Sequence, residues 1–161
     1  MSTSTTATSA PAEVDARAPR FTATVTAAVL ATALAVATVN PRAAAAILAA
    51  QAVIFGIGAL WGPLQHPYGL AFSRLIAPRL GPAAKRDPVA QLRFAQMLGF
   101  FFCAIGAAGF ALGAPPVGWI SAGFALFAAI MRAAFGICLG RGPYMLLCRL
   151  RGEVPACCQN K

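Results

Sequence analysis

Apolar residues in this chain fall into four long runs, residues 21–39, 43–61, 94–113 and 117–139, rather than into the short alternations of strands. A helix that crosses about 30 Å of hydrocarbon needs about 20 residues at about 1.5 Å of rise each. Each run is long enough, so the pattern predicts four membrane-spanning helices. The first three contain no charge; the fourth contains one, Arg132.

The polar breaks between the runs predict how the spans are joined. Between the first and second stands Val39-Asn40-Pro41-Arg42, in which Asn-Pro signals a turn and Pro41 suits the opening of the next helix. Between the third and fourth, Gly113 to Gly118 is short enough to force antiparallel neighbours. Two helical hairpins follow, separated by a linker over residues 62–93. Within the linker, Tyr68, Ala71, Phe72, Leu75 and Ile76 share one face at helical spacing, with Ser73 and Arg74 turned away and Leu70 misplaced. Pro67 and Pro78 bound this short helix. It either lies in the inner headgroup plane or covers the cytoplasmic ends of the bundle.

Gly58 and Gly62, Gly109 and Gly113, and Gly136 and Gly140 are pairs four residues apart. Small residues at that spacing let helix backbones approach closely inside lipid. Packing within the chain is the expected use, ahead of dimerisation.

Composition strengthens this picture. Apolar residues make up 59% of the chain and charged residues 11%, against about 45–50% and about 25% in soluble domains. The net charge of +9 would suggest nucleic acid in a soluble protein, but here its distribution follows topology. Arg17 and Arg20 precede the first span; Arg74, Arg79, Lys85, Arg86 and Arg93 lie in the linker; Arg141, Arg149, Arg151 and Lys161 follow the fourth span. The opposite turns hold only Arg42. Positive residues mark the cytoplasmic side, which puts both termini inside the cytoplasmic membrane. Anionic lipids of the inner leaflet account for the charge without a nucleic-acid partner.

A cleaved signal peptide is a competing reading of the first run, since Ala35-Val36-Ala37 resembles a cleavage site. The run is longer than the roughly 7–15 residues of a signal core, and cleavage would move the basic linker outside. It is therefore read as an anchor. Residues 1–18, rich in Ser, Thr, Ala and Pro, read as a disordered tail; residues 19–151 form the membrane domain, and residues 152–161 a second tail.

Candidate chemistry is sparse. Arg132 lies about 22 Å along its helix from Val117 and about 10 Å before Leu139. Placing an arginine at such depth costs at least about 2.5 kcal/mol, so it is expected to face the bundle or a wet crevice. No span contains a carboxylate, which leaves Gln96, Gln51 and freed backbone carbonyls as acceptors. Arg132 with Gln96 is a candidate polar-substrate contact; its structural alternative is a stabilising bond between the two. Cys103 reads as a small core residue. Cys138, Cys148, Cys157 and Cys158 fall on the cytoplasmic side, where structural disulfides are rare. Cys157-Cys158 matches no zinc spacing, and His66 stands alone, so neither metal nor cofactor is expected. The chain lacks a hydrolytic triad, an intramembrane carboxylate pair and a phosphate loop, which argues against hydrolytic or nucleotide-driven catalysis.

Three stretches together, "PYGLAFSRLIAPRLGP" from Pro67, "RFAQMLGF" from Arg93 and "AAFGICLGRGPYMLL" from Ala133, resemble the bacterial membrane proteins grouped as a domain of unknown function, the four-three-nine-five domain. The resemblance runs from about Ala18 to Leu150 and implies a small multi-span inner-membrane protein without an established activity. Members often carry Cys-x-Gly-Cys at the end of the last span, and some occur beside thioredoxin-like or sulfurtransferase modules. This implies thiol or sulfur chemistry at the cytoplasmic face, with Cys138 as the redox thiol. Here Arg141 replaces the second cysteine, so an internal dithiol at this motif is excluded. Cys138 would have to meet a partner's thiol, or pair with Cys148, or be inert. Arg141 would favour a thiolate if the helix continued, whereas a helix C-terminus opposes one. Gly140 and Gly142-Pro143 also suit a plain corner between a spanning helix and a surface helix.

The expectation is an all-α polytopic membrane protein of four transmembrane helices in two hairpins, with short interfacial helices on the cytoplasmic side. Three functions are open: a membrane partner of thioredoxin-like or sulfur-transfer proteins through Cys138, an accessory subunit of a larger membrane complex, and a small carrier with Arg132 as its polar site.

Overall fold

The computed structural model describes residues 13–62, 64–79, 81, 86–136 and 146. Four long helices are present: α1 (Arg17–Ala37), α2 (Pro41–Trp61), α4 (Val89–Ala111) and α5 (Pro115–Ile130). A π-helical turn, Met131–Phe135, prolongs α5, so the fourth apolar helix runs over Pro115–Phe135. All four are long and apolar enough to cross a membrane. Large apolar side chains such as Phe101, Ile105, Ile120, Phe124 and Phe127 point outward, as hydrocarbon surroundings permit.

Helix ends follow local chemistry. Asn40 caps α2, its side chain accepting from the Ala43 N–H at 3.1 Å, and Pro41 takes the first helical position. The described part of the fourth helix ends at Phe135, where Gly136 adopts the left-handed conformation (φ 67°) and its N–H bonds back to the Arg132 carbonyl; Leu139, the end expected from the apolar run, lies outside the described residues. Within the segment read as a tail over residues 1–18, the described residues carry secondary structure. Glu13–Asp15 forms strand β1, which pairs antiparallel with β2 (Arg86–Pro88), Val14 facing Asp87. Strand pairing holds the residues that composition alone reads as tail.

The principal contacts run α1 to α2, α2 to α4, α4 to α5 and α5 back to α1, closing a four-helix bundle. Its core is built of Leu30, Ala33, Leu48, Cys103, Phe110 and Ala122. Backbones approach closely where α4 meets α5: a Cβ on Gly109 would sit 2.6 Å from the Gly118 nitrogen. In the two pairs that the structure describes, the first glycine, Gly58 or Gly109, packs against a neighbouring helix, while the second, Gly62 or Gly113, takes a positive φ just beyond the helix end.

The linker helix is α3 (Pro67–Ala71), continued by a π-helical turn at Phe72–Ile76 and a 3₁₀ turn at Ala77–Arg79. It folds against the bundle. The Tyr68 hydroxyl donates to Gln51 Oε1 at 2.9 Å, and Phe72, almost wholly buried, meets the Phe21 ring. Leu70 and Leu75 remain exposed.

Candidate functional site

α1 contributes two threonines one turn apart, Thr22 and Thr26, on the same helix face. Opposite them, α4 presents Gln96, and the prolonged α5 presents Arg132. These side chains line one cavity of about 140 Å³ in the half of the bundle away from the two short turns, with Phe55, Leu92, Phe102 and Ala125 as its apolar walls. Toward the short turns the packed core closes the bundle.

Arg132 does not bond to Gln96. Its guanidinium forms an ion pair with Asp87, the two side chains being 12% and 19% exposed. The missing carboxylate comes from the linker: β1 and β2 pair below the bundle and hold Asp87 against the end of α5. The arginine sits one turn before Gly136, so it reaches the bundle end and needs no acceptor inside the hydrocarbon. Its π-helical turn is a deviation that recurs at functional positions.

Gln96 instead lies against Gly58 of α2, where a Cβ would come within 2.8 Å of its amide carbon. Gln96 and Thr26 are respectively 9% and 2% exposed, and neither Gln96 Oε1 nor Thr26 Oγ1 has a hydrogen-bond partner among the described residues. Buried polar atoms are nearly always satisfied. Two such atoms lining one cavity therefore mark a place for a polar guest, whether water or solute.

A second cavity, of about 200 Å³, adjoins the first through Arg132 and is lined by Asp15, Arg17, Arg20, Asp87 and Gly136. Asp15 accepts from the Arg17 backbone N–H at 2.9 Å, and the Arg17 side chain donates to the Gly81 carbonyl at 3.2 Å. The Arg20 guanidinium occupies the space that a side chain at Gly136 would need: a Cβ there would meet it at 2.6 Å. It thereby covers the partially negative end of α5.

His66 also lines the first cavity, and it is 1% exposed. Its Nδ1 accepts from the Gly69 N–H at 3.4 Å, capping α3, and its ring meets Tyr68 edge-on. Among the described residues no three His, Cys, Asp or Glu side chains gather as a metal-ligand set. Cys138 and Arg141, like Cys148, Cys157 and Cys158, lie outside the described residues, as does the corner expected at Gly140 to Pro143.

Arg132 and Gln96, expected from the sequence as a polar contact, thus line one cavity without a hydrogen bond between them. The reading missed Thr22, Thr26, Asp87 and Arg20. A signal existed only for the threonines, four residues apart on one helix face of a run whose other polar residues are Thr24, Thr32 and Thr38.

A family model described as a domain of unknown function (DUF4395) matches residues 14–149. No curated protein and no solved structure matches the chain.

Proposed function

The chain belongs to the DUF4395 family, and on that premise we propose that it is a small carrier of the cytoplasmic membrane whose solute site lies within its helix bundle. The observation that carries this reading is the cavity that Arg132 and Gln96 share, with unsatisfied polar atoms on Gln96 and Thr26. A cavity in one half of the bundle, with packed side chains filling the other half, suits a carrier facing one side. Arg17, Arg20, Arg79, Arg86, Arg93 and Arg132 stand at the cavity's end, and Arg42 at the opposite one. The asymmetry supports a cytoplasmic opening and termini on the inside.

Cysteine accessibility tests this reading. In a cysteine-free background, Ala128→Cys, on the cavity wall, should react with a membrane-impermeant thiol reagent in inverted vesicles and not in right-side-out ones. A cysteine at this position that never reacts from either side would sink the solute-site reading. A reporter active only outside the cytoplasm, fused after Lys161, should stay silent.

A second reading keeps Cys138 as the contact for a thioredoxin-like or sulfurtransferase partner. Its support is that Gly136, two residues before Cys138 in sequence, lines the second cavity. Trapping of mixed disulfides from cytoplasm should then disappear in Cys138→Ser.

A further inference from the structure

The two cavities differ in chemistry and share one side chain. The inner one is walled mainly by Phe55, Leu92, Phe102 and alanines, with two unsatisfied polar atoms. Its volume of about 140 Å³ is close to that of the engineered apolar cavity of about 150 Å³ that admits benzene. The outer one carries three arginines and two aspartates. Arg132 stands between them.

The charges lining the outer cavity do not cancel. Asp87 is paired with Arg132, and Asp15 lies at the backbone N–H of Arg17. Arg20 has no carboxylate partner among the described residues. Arg132 spends one nitrogen on Asp87, and a guanidinium has five N–H donors. An oxyanion can therefore bind Arg20 and the remaining donors of Arg132 without breaking the ion pair. Two guanidinium groups suit a carboxylate or a related oxyanion better than a neutral amide. Behind them, the inner cavity has room for an apolar body about the size of an aromatic ring, while Gln96 Oε1 and Thr26 Oγ1 await a polar substituent or a bridging water.

We infer that the two cavities form one site for a small amphipathic anion, its oxyanion held by Arg20 and Arg132 and its apolar body placed among Phe55, Leu92 and Phe102. The inference rests on the solute-site reading and narrows it to a ligand class. It excludes inorganic anions, which leave the apolar half unfilled, and neutral rings, which leave the arginines unused.

The test uses the full chain in nanodiscs at neutral pH, titrated with benzoate, benzamide and inorganic phosphate, binding being read by calorimetry. Benzoate should bind at least tenfold more tightly than either of the others. Arg20→Gln should weaken benzoate at least tenfold and leave benzamide unaffected. Thr26→Val and Ala128→Phe, which alter the inner cavity, should weaken benzoate without changing the response to phosphate. Equal binding of benzoate and benzamide would overturn the anionic half of the inference, and equal binding of benzoate and phosphate the apolar half. If Ala128→Cys is accessible but benzoate does not bind, the inference fails while the solute-site reading stands; an inaccessible Ala128→Cys removes both.

Discussion

Tyr68 and Gln51 are joined by a hydrogen bond of 2.9 Å from the phenol hydroxyl to the amide oxygen. Gln51 lies ten residues from either end of α2 and is 1% exposed. The chain that leaves α2 at Gly62 therefore turns back on the bundle, and its side chain reaches halfway along the helix it has just left. The amide oxygen is satisfied by a residue that comes 17 positions later.

Removing that hydroxyl should be costly. Tyr68→Phe strands the Gln51 oxygen in a buried place, for a loss of about 1–3 kcal/mol. Tyr68→Phe with Gln51→Leu should lose less than the sum of the single variants, since the second change removes the stranded group. Thermal unfolding in detergent measures the cycle; strictly additive losses would show that the bond contributes nothing specific.

Alkaline stability should carry the mark of the same residue. Burial raises the Tyr68 phenol above its ordinary value of 10.0, so the unfolded chain releases this proton at lower pH than the folded one. The stabilisation is whole below pH 10 and is lost as pH rises through the raised folded value. Wild type should lose stability over that range more steeply than Tyr68→Phe, as followed by thermal unfolding at stepped pH. Parallel curves would contradict the assignment.

Arg132 and Asp87 should behave as one unit. Either Arg132→Gln or Asp87→Asn leaves a largely buried charge without its partner, a change that costs about 3–5 kcal/mol. The double variant should be markedly more stable than the sum of the two losses predicts. Both single changes should also loosen the β1–β2 pairing, which amide hydrogen exchange at Val14 and Asp87 would report as faster.

Two glycines of the α4–α5 pair make a contrast. Gly109→Ala would set a methyl 2.6 Å from the Gly118 backbone nitrogen, so the helices must part. Gly123→Ala meets nothing within 4 Å and should gain up to about 1 kcal/mol from helix propensity. Opposite signs in thermal stability are expected; a tolerated Gly109→Ala would mean that the close approach is dispensable.

By itself the sequence determined the number of spans and much of their punctuation. Hydrocarbon demands that every helix satisfy its own backbone hydrogen bonds over a set length, a local requirement that can be read in the runs of apolar residues, at Asn40-Pro41 and at Gly113. Only the tertiary structure decided which polar side chains meet. Arg132 pairs with a carboxylate 45 residues away, delivered by a strand that composition reads as linker. Gln96 is set against Gly58 rather than against Arg132. These pairings depend on which helix faces which, and alanine-rich, glycine-rich faces that pack equally well in lipid leave no periodic signature of the choice. The cavity is the result of that choice: it exists where α1, α4 and α5 fail to close on one another, which no stretch of the chain contains alone.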